Sequence, residues 1–256
     1  MSNLAVLVKK DLLEQWRTKK MLVLAITFLF VAVASPIIAK ITPELLKSLK
    51  VSGVALTPPP ATYLDALAQF IKNISQLALL VLIFMTSGAV VDEKNRKTLE
   101  IVLTKPVSRA RFILSKFAAY WLSVSVAFVA GSVIFYVYTV NLLGSFSLGH
   151  FSLMATGVLL NVLMILSITI LASTWVKSVV ATAGLGFAGY VFFGIIFDLF
   201  ESAKKFSPNW IFAHYQDIIV HGWTRDFVWP LIVTLSVIAV AVVVAVLIFN
   251  RQEIER

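Results

Sequence analysis

Six stretches of this chain are too long and too apolar for a water-soluble fold. They lie at residues 21–39, 71–91, 117–138, 153–176, 179–197 and 229–249, and only Lys72, at one end of the second, interrupts them with a charge. About 20 apolar residues carry an α-helix across roughly 30 Å of hydrocarbon. Backbone polar groups in lipid must be satisfied within the segment, so such runs read as helices. Composition agrees: 59% of residues are hydrophobic and 14% charged, where a soluble domain has about a quarter charged. The reading is an all-α polytopic membrane protein, a single transmembrane domain over residues 1–256. Ala32-Val33-Ala34 resembles a signal-peptidase site, but the apolar run is long and Asp11 and Glu14 precede it, so cleavage is not expected.

Between the second and third runs lies the most patterned polar stretch, residues 92–116. It holds seven of the 22 basic residues, Lys94, Arg96, Lys97, Lys105, Arg109, Arg111 and Lys116. Basic loops remain cytoplasmic. With six spans and this loop inside, fifteen Lys and Arg fall inside and seven outside, which puts both termini in the cytoplasm. That bias accounts for the net charge of +9, and nucleic acid is not needed as a partner. Ahead of the first span, Leu4, Val8, Leu12 and Trp16 recur at helical spacing, with Lys9, Lys10, Asp11, Glu14 and Arg17 as a polar face. This pattern suits a helix lying in the membrane interface. Residues 40–64, with three consecutive prolines at 58–60, read as an outer loop, and residues 198–226 as an outer helical segment.

Glu93, the Thr98-Leu99-Glu100 triplet, the run Lys105-Pro106-Val107-Ser108-Arg109 and Lys116 form an ordered set. It resembles the first cytoplasmic loop of ABC-2 type permeases, the membrane subunits of ABC transporters, with Lys97 where that family usually has glycine. The resemblance covers nearly the whole chain, although only the loop is motif-grade. It implies an ABC-2 (type V exporter-like) fold: six transmembrane helices and an N-terminal interfacial helix in a prokaryotic plasma membrane. It further implies a permease that works as a dimer, with a second copy or a paralogue, and that exports its substrate. The ABC ATPase is then a separate subunit carrying ATP and Mg, with no cofactor in this chain. Glu93, Arg96, Thr98, Leu99, Glu100, Pro106 and Arg109 are the expected contacts of a coupling helix with that ATPase. Reversing Glu93 and Glu100 to lysine is expected to weaken docking and leave folding intact.

Other features receive plainer readings. None of the 11 glycines precedes a lysine, so the sequence has no P-loop, and it has no cysteine. Gly184, Gly186 and Gly189 match a dinucleotide-binding spacing but lie inside an apolar run, where small residues let helices approach. Gln76 and Asn161, polar side chains within spans, are expected in helix packing or along the pathway. His214, Asp217 and His221 would share one helix face if 210–221 were a single helix. At ~1.5 Å per residue the two histidines would then stand ~10.5 Å apart, so a wet outer helix is expected and no metal site. No catalytic residues are identified. An ATP-independent channel or carrier, or an intramembrane enzyme, is the alternative. The absence of acids and bases at mid-span argues against a proton relay.

Overall fold

The computed structural model describes residues 4–48, 59–96, 108–197 and 199–252. All regular structure in these residues is helical. α1 (Leu4–Arg17) turns through Thr18 and Lys19, the latter at φ 59°, into α2 (Lys20–Ser48). α3 (Tyr63–Asn95), α4 (Arg109–Leu143), α5 (Leu148–Trp175) and α6 (Val179–Ile195) follow. Two short helices, α7 (Trp210–Ala213) and α8 (Tyr215–His221), precede α9 (Val228–Arg251). Among the described residues five helical stretches are long and apolar enough to cross a membrane, and α6, at 17 residues, is a shorter apolar helix.

α5 is the central helix, with α3, α4, α6, α8 and α9 packed around it, while α2 and α1 lie against α4. The reason is visible along α5, where Val158, Val162, Ile165 and Leu166 are inaccessible and Asn161, Thr169 and Ser173 are equally buried. Lipid tails offer no hydrophobic driving force between helices, so close packing, with cross-helix hydrogen bonds such as that of Ser173, holds such a bundle together.

Helices run well past the expected spans. α2 continues through Pro36 and Pro43 to Ser48, so residues 40–48 are helix where a loop was expected. Each proline removes one backbone donor, and hydroxyls beside them bond within the helix: Ser35 donates to Val31 O at 2.6 Å and Thr42 to Ile38 O at 2.6 Å. α3 begins at Tyr63, eight residues before the expected start, because the Asp65 carboxylate accepts from both Thr62 N–H (2.8 Å) and its hydroxyl (2.9 Å). At its other end α3 keeps Asp92, Glu93 and Lys94 within the helix, and α4 already contains Arg111 and Lys116. The connection expected over 92–116 is therefore shorter, and residues 97–107 lie outside the described residues. We call this the loop end of the bundle, and the opposite end the far end.

At the far end, Phe70, Phe135 and Phe151 form a buried stack, with Phe70 and Phe135 centroids 4.1 Å apart. The expected single helix over 210–221 is broken at His214, whose ring stacks on Trp210 at 4.2 Å and whose Nδ1 lies 3.0 Å from Trp210 O. Gly222, at φ 77°, then turns the chain where a Cβ would strike the His150 ring.

Candidate functional site

The loop end gathers most of the charged side chains that the chain buries. Lys116, in the second turn of α4, is 2% exposed. Its ammonium lies 2.9 Å from Asp11 Oδ1 and 3.5 Å from Glu14 Oε2, both on α1, and it bonds Glu93 Oε1 on α3. Lys10 reaches the same Glu93 oxygen at 2.8 Å, and Ser115 donates to Asp11 Oδ2 at 2.7 Å. A buried charge without a partner would cost several kcal/mol. These residues therefore belong together: three carboxylates and two ammonium groups join α1, α3 and α4 at one point. Phe112 lies beneath the pair of lysines, 5.7 Å from Lys10 Nζ and 5.6 Å from Lys116 Nζ. Nearby, Lys20 at the start of α2 lies 3.5 Å from Asp92 and donates to Tyr120 Oη at 3.4 Å.

Carboxylate oxygens of Asp11, Glu14 and Glu93 lie within 4.8 Å of one another, close enough to share a cation. Lys116 already contacts all three. A lysine held this way does the charge-balancing work of a metal, and these carboxylates are the residues that would hold one.

A second set of ties closes the same end. Lys94 donates to Thr174 O at 2.5 Å and Gln252 to the same oxygen at 2.7 Å, at the C-terminus of α5. Arg109 Nη1 donates to Asn250 O (3.1 Å) and Gln252 O (2.8 Å), at the C-terminus of α9. Helix C-termini expose unpaired carbonyls and a partial negative charge, so cations settle there. Ser173 of α5 adds a third tie: its hydroxyl donates to Ser87 O (2.9 Å) and accepts from Val90 N (2.9 Å) and Val91 N (3.2 Å) of α3. A foreign hydroxyl is thus inserted beside the α3 ladder, one turn before Glu93.

The expected site residues divide. Glu93 is 5% exposed and faces Lys10 and Lys116 inside the chain, so it is an anchor at the root of the loop and not an acid on its surface. Glu93→Lys would set a third cation beside two others, and folding would not be spared as expected. Arg109 is likewise committed to the end of α9. Arg96, at the C-cap of α3, is exposed. Thr98, Leu99, Glu100 and Pro106 lie outside the described residues. Asp11, expected on a polar face of α1, is 2% exposed on the buried stripe Leu7, Asp11 and Gln15. That stripe at i, i+4 and i+8 was the available signal for it.

The remaining candidates sit higher in the bundle. Gln76 lies in a π-helical turn, Ile74–Ala78, with its side chain exposed on the outside of α3. Asn161 donates to Pro208 O and Asn209 Oδ1, each at 2.9 Å, and so fastens the segment after α6 to the middle of α5. Gly157, one turn away, leaves the space that Ile211 and Phe227 fill. Close approach holds at Gly186 and Gly189, where a Cβ would meet Thr169 Oγ1 at 2.5 Å and Ile168 Cγ2 at 2.7 Å. Gly184 instead faces open space, with no atom within 4 Å, because it lies on the outward side of α6. His214 and His221 do not share a helix, and Asp217 is exposed.

Comparison with known proteins agrees with this architecture. Residues 5–218 match the family described as "ABC-2 family transporter protein". Over 265 residues the chain is 26% identical to the Bacillus subtilis (strain 168) protein named "Uncharacterized transmembrane protein YxlG", and the match covers 99% of each.

Proposed function

The chain belongs to the ABC-2 family of transporter proteins, and from that premise we propose that it is the permease subunit of an ATP-driven exporter. In this reading two permeases, identical or paralogous, pair in the membrane, and each is served by a separate ABC ATPase that binds ATP and Mg. The loop end faces the cytoplasm, as do both termini, and residues 97–107 dock on the ATPase. Thr98, Leu99, Glu100 and Pro106 contribute through the family pattern, with exposed Arg96 beside them. Glu93 and Arg109 act one step behind the contact. They fix the two roots of the loop, so a push on the loop moves α1, α3, α4 and α9 together. Gln76 and the exposed side of α3 and α6 around Gly184 then face the partner permease or the substrate path.

The observation that carries this reading is the family match over residues 5–218. The joining of both loop roots, Glu93 and Lys116, to one interfacial helix supports it, since a loop so anchored suits the transmission of force. The test is purification of the tagged chain from its own host in mild detergent. A stoichiometric ABC ATPase should accompany it, and ATP hydrolysis by the complex should vanish when the ATPase's P-loop lysine is replaced. Recovery of the chain without any ATPase, together with transport that persists when ATP is depleted, would sink the proposal.

A further inference from the structure

We infer that the joint between α1, α2 and α4 is a binding site for one water molecule, which completes the cluster around Lys116. A cavity of about 10 Å3 lies there, walled by Asp11, Glu14, Gln15, Lys20, Lys116 and Tyr120 among others. A space of that size is enough for one water. Gln15 is 2% exposed, and neither its Nε2 nor its Oε1 has a hydrogen-bond partner among the described residues. Leaving a buried amide dry costs about 1–3 kcal/mol, so an orphaned glutamine beside a water-sized space marks the space as filled.

The wall supplies the right complement of groups. Tyr120 is 4% exposed, and its oxygen accepts from Lys20 at 3.4 Å, which leaves its own O–H to be given to an acceptor in the cavity. Asp11 Oδ1 faces the ammonium groups of Lys116 (2.9 Å) and Lys10 (3.3 Å), and as a carboxylate oxygen it can accept from a further donor in the cavity. One water accepts from Tyr120 Oη–H, meets the Gln15 amide and donates to Asp11 Oδ1. Water both gives and accepts, so it serves Gln15 whichever way the amide is turned. The charges of the wall select against an ion: Asp11 and Glu14 balance Lys20 and Lys116, and a small cation would have to sit against an ammonium group. The neutral dipole is the fitting occupant.

The test uses the full chain in detergent or nanodiscs and needs neither the ATPase nor a substrate, so its outcome is independent of the transport reading. Gln15→Met keeps the volume and removes the amide. If a water is bound, the variant loses its hydrogen bonds and melts about 2–4 °C lower, the shift that corresponds to about 1 kcal/mol in a chain of this size. If the cavity is dry, Met removes two orphaned polar atoms and the melting temperature rises. A rise or no change overturns the site. Tyr120→Phe should lower the melting temperature in the same direction, and an experimental map that resolves ordered solvent should show a peak bridging Gln15 and Tyr120. Replacing sodium by choline should leave the wild-type melting temperature unchanged. A fall on sodium removal would make the occupant a cation and contradict the assignment.

Discussion

The two ends of this bundle are held by different physics. At the loop end, Lys116, Glu93, Asp11 and Lys10 meet in one buried cluster, and Lys94 and Arg109 bind the last carbonyls of α5 and α9. At the far end, aromatic rings stack, Ile211 and Phe227 fill the space left by Gly157, and the side chains of Asn161 and His150 pin the returning segment through hydrogen bonds. Charge ties are directional and fail abruptly, because removal of one partner strands the other. Apolar packing fails by degrees, in proportion to the volume or area lost. A bundle built this way has one end whose helices move as a block and another end that yields gradually. The block lies where the proposed docking loop begins and ends.

Substitutions at the two ends separate these two modes of failure. The largest effect is expected from Lys116→Ala, which leaves Asp11, Glu14 and Glu93 facing one another without their shared cation. The expected cost is about 3–5 kcal/mol, read as a fall in melting temperature of roughly 6–20 °C or as loss of folded protein. Lys116→Met combined with Glu93→Gln and Asp11→Asn should recover most of that loss, since a neutral cluster strands no charge. At the far end, Gly157→Ala pushes a methyl into Ile211 and Phe227 and should cost about 1–3 kcal/mol, with no effect on the loop end. If it cost as much as Lys116→Ala, the contrast between the ends would fail. Asn161→Leu should cost about 0.6–2 kcal/mol. Its readout is faster proteolytic nicking between residues 199 and 209, with α5 itself intact. The smallest effect belongs to Lys20→Ala, since the Lys20–Asp92 pair is 3.5 Å long and partly exposed; a change above about 1 kcal/mol would show that this contact belongs to the buried cluster.

Much of this architecture was legible in the sequence because lipid leaves the chain few choices. Apolar runs of 19 or more residues with at most one charge read as helices in lipid, and each run named from the sequence lies on one, except that Val176 and residues 196–197 fall just beyond the ends of α5 and α6. Their ends were harder to read. Residues 40–48 contain Lys40, Pro43, Glu44 and Lys47, which look like a loop, yet outside the hydrocarbon a helix tolerates such residues and α2 simply continues. The same reasoning placed Lys116 in a loop when it lies in α4. The site was legible as a motif but not as an arrangement. Glu93 and Arg109 stood out by their pattern, whereas Lys10, which pairs with Glu93, lies 83 positions away in the chain, and the last carbonyls of α9, which Arg109 binds, lie 141 and 143 positions away. Periodicity reports which face a residue shares, and it does not tell whether a charged face meets water or a complementary charge. For α1 it met a complementary charge.

The central claim is that Glu93 acts inside the chain, through Lys116, and not on its surface. A double-mutant cycle with Glu93→Gln, Lys116→Met and the pair, followed by unfolding of the chain alone, tests this most directly. The account predicts that the two single substitutions are strongly non-additive, with a coupling of about 1–3 kcal/mol, because each alone strands the other's charge. Additivity to within about 0.5 kcal/mol would contradict it and return Glu93 to the surface of the loop.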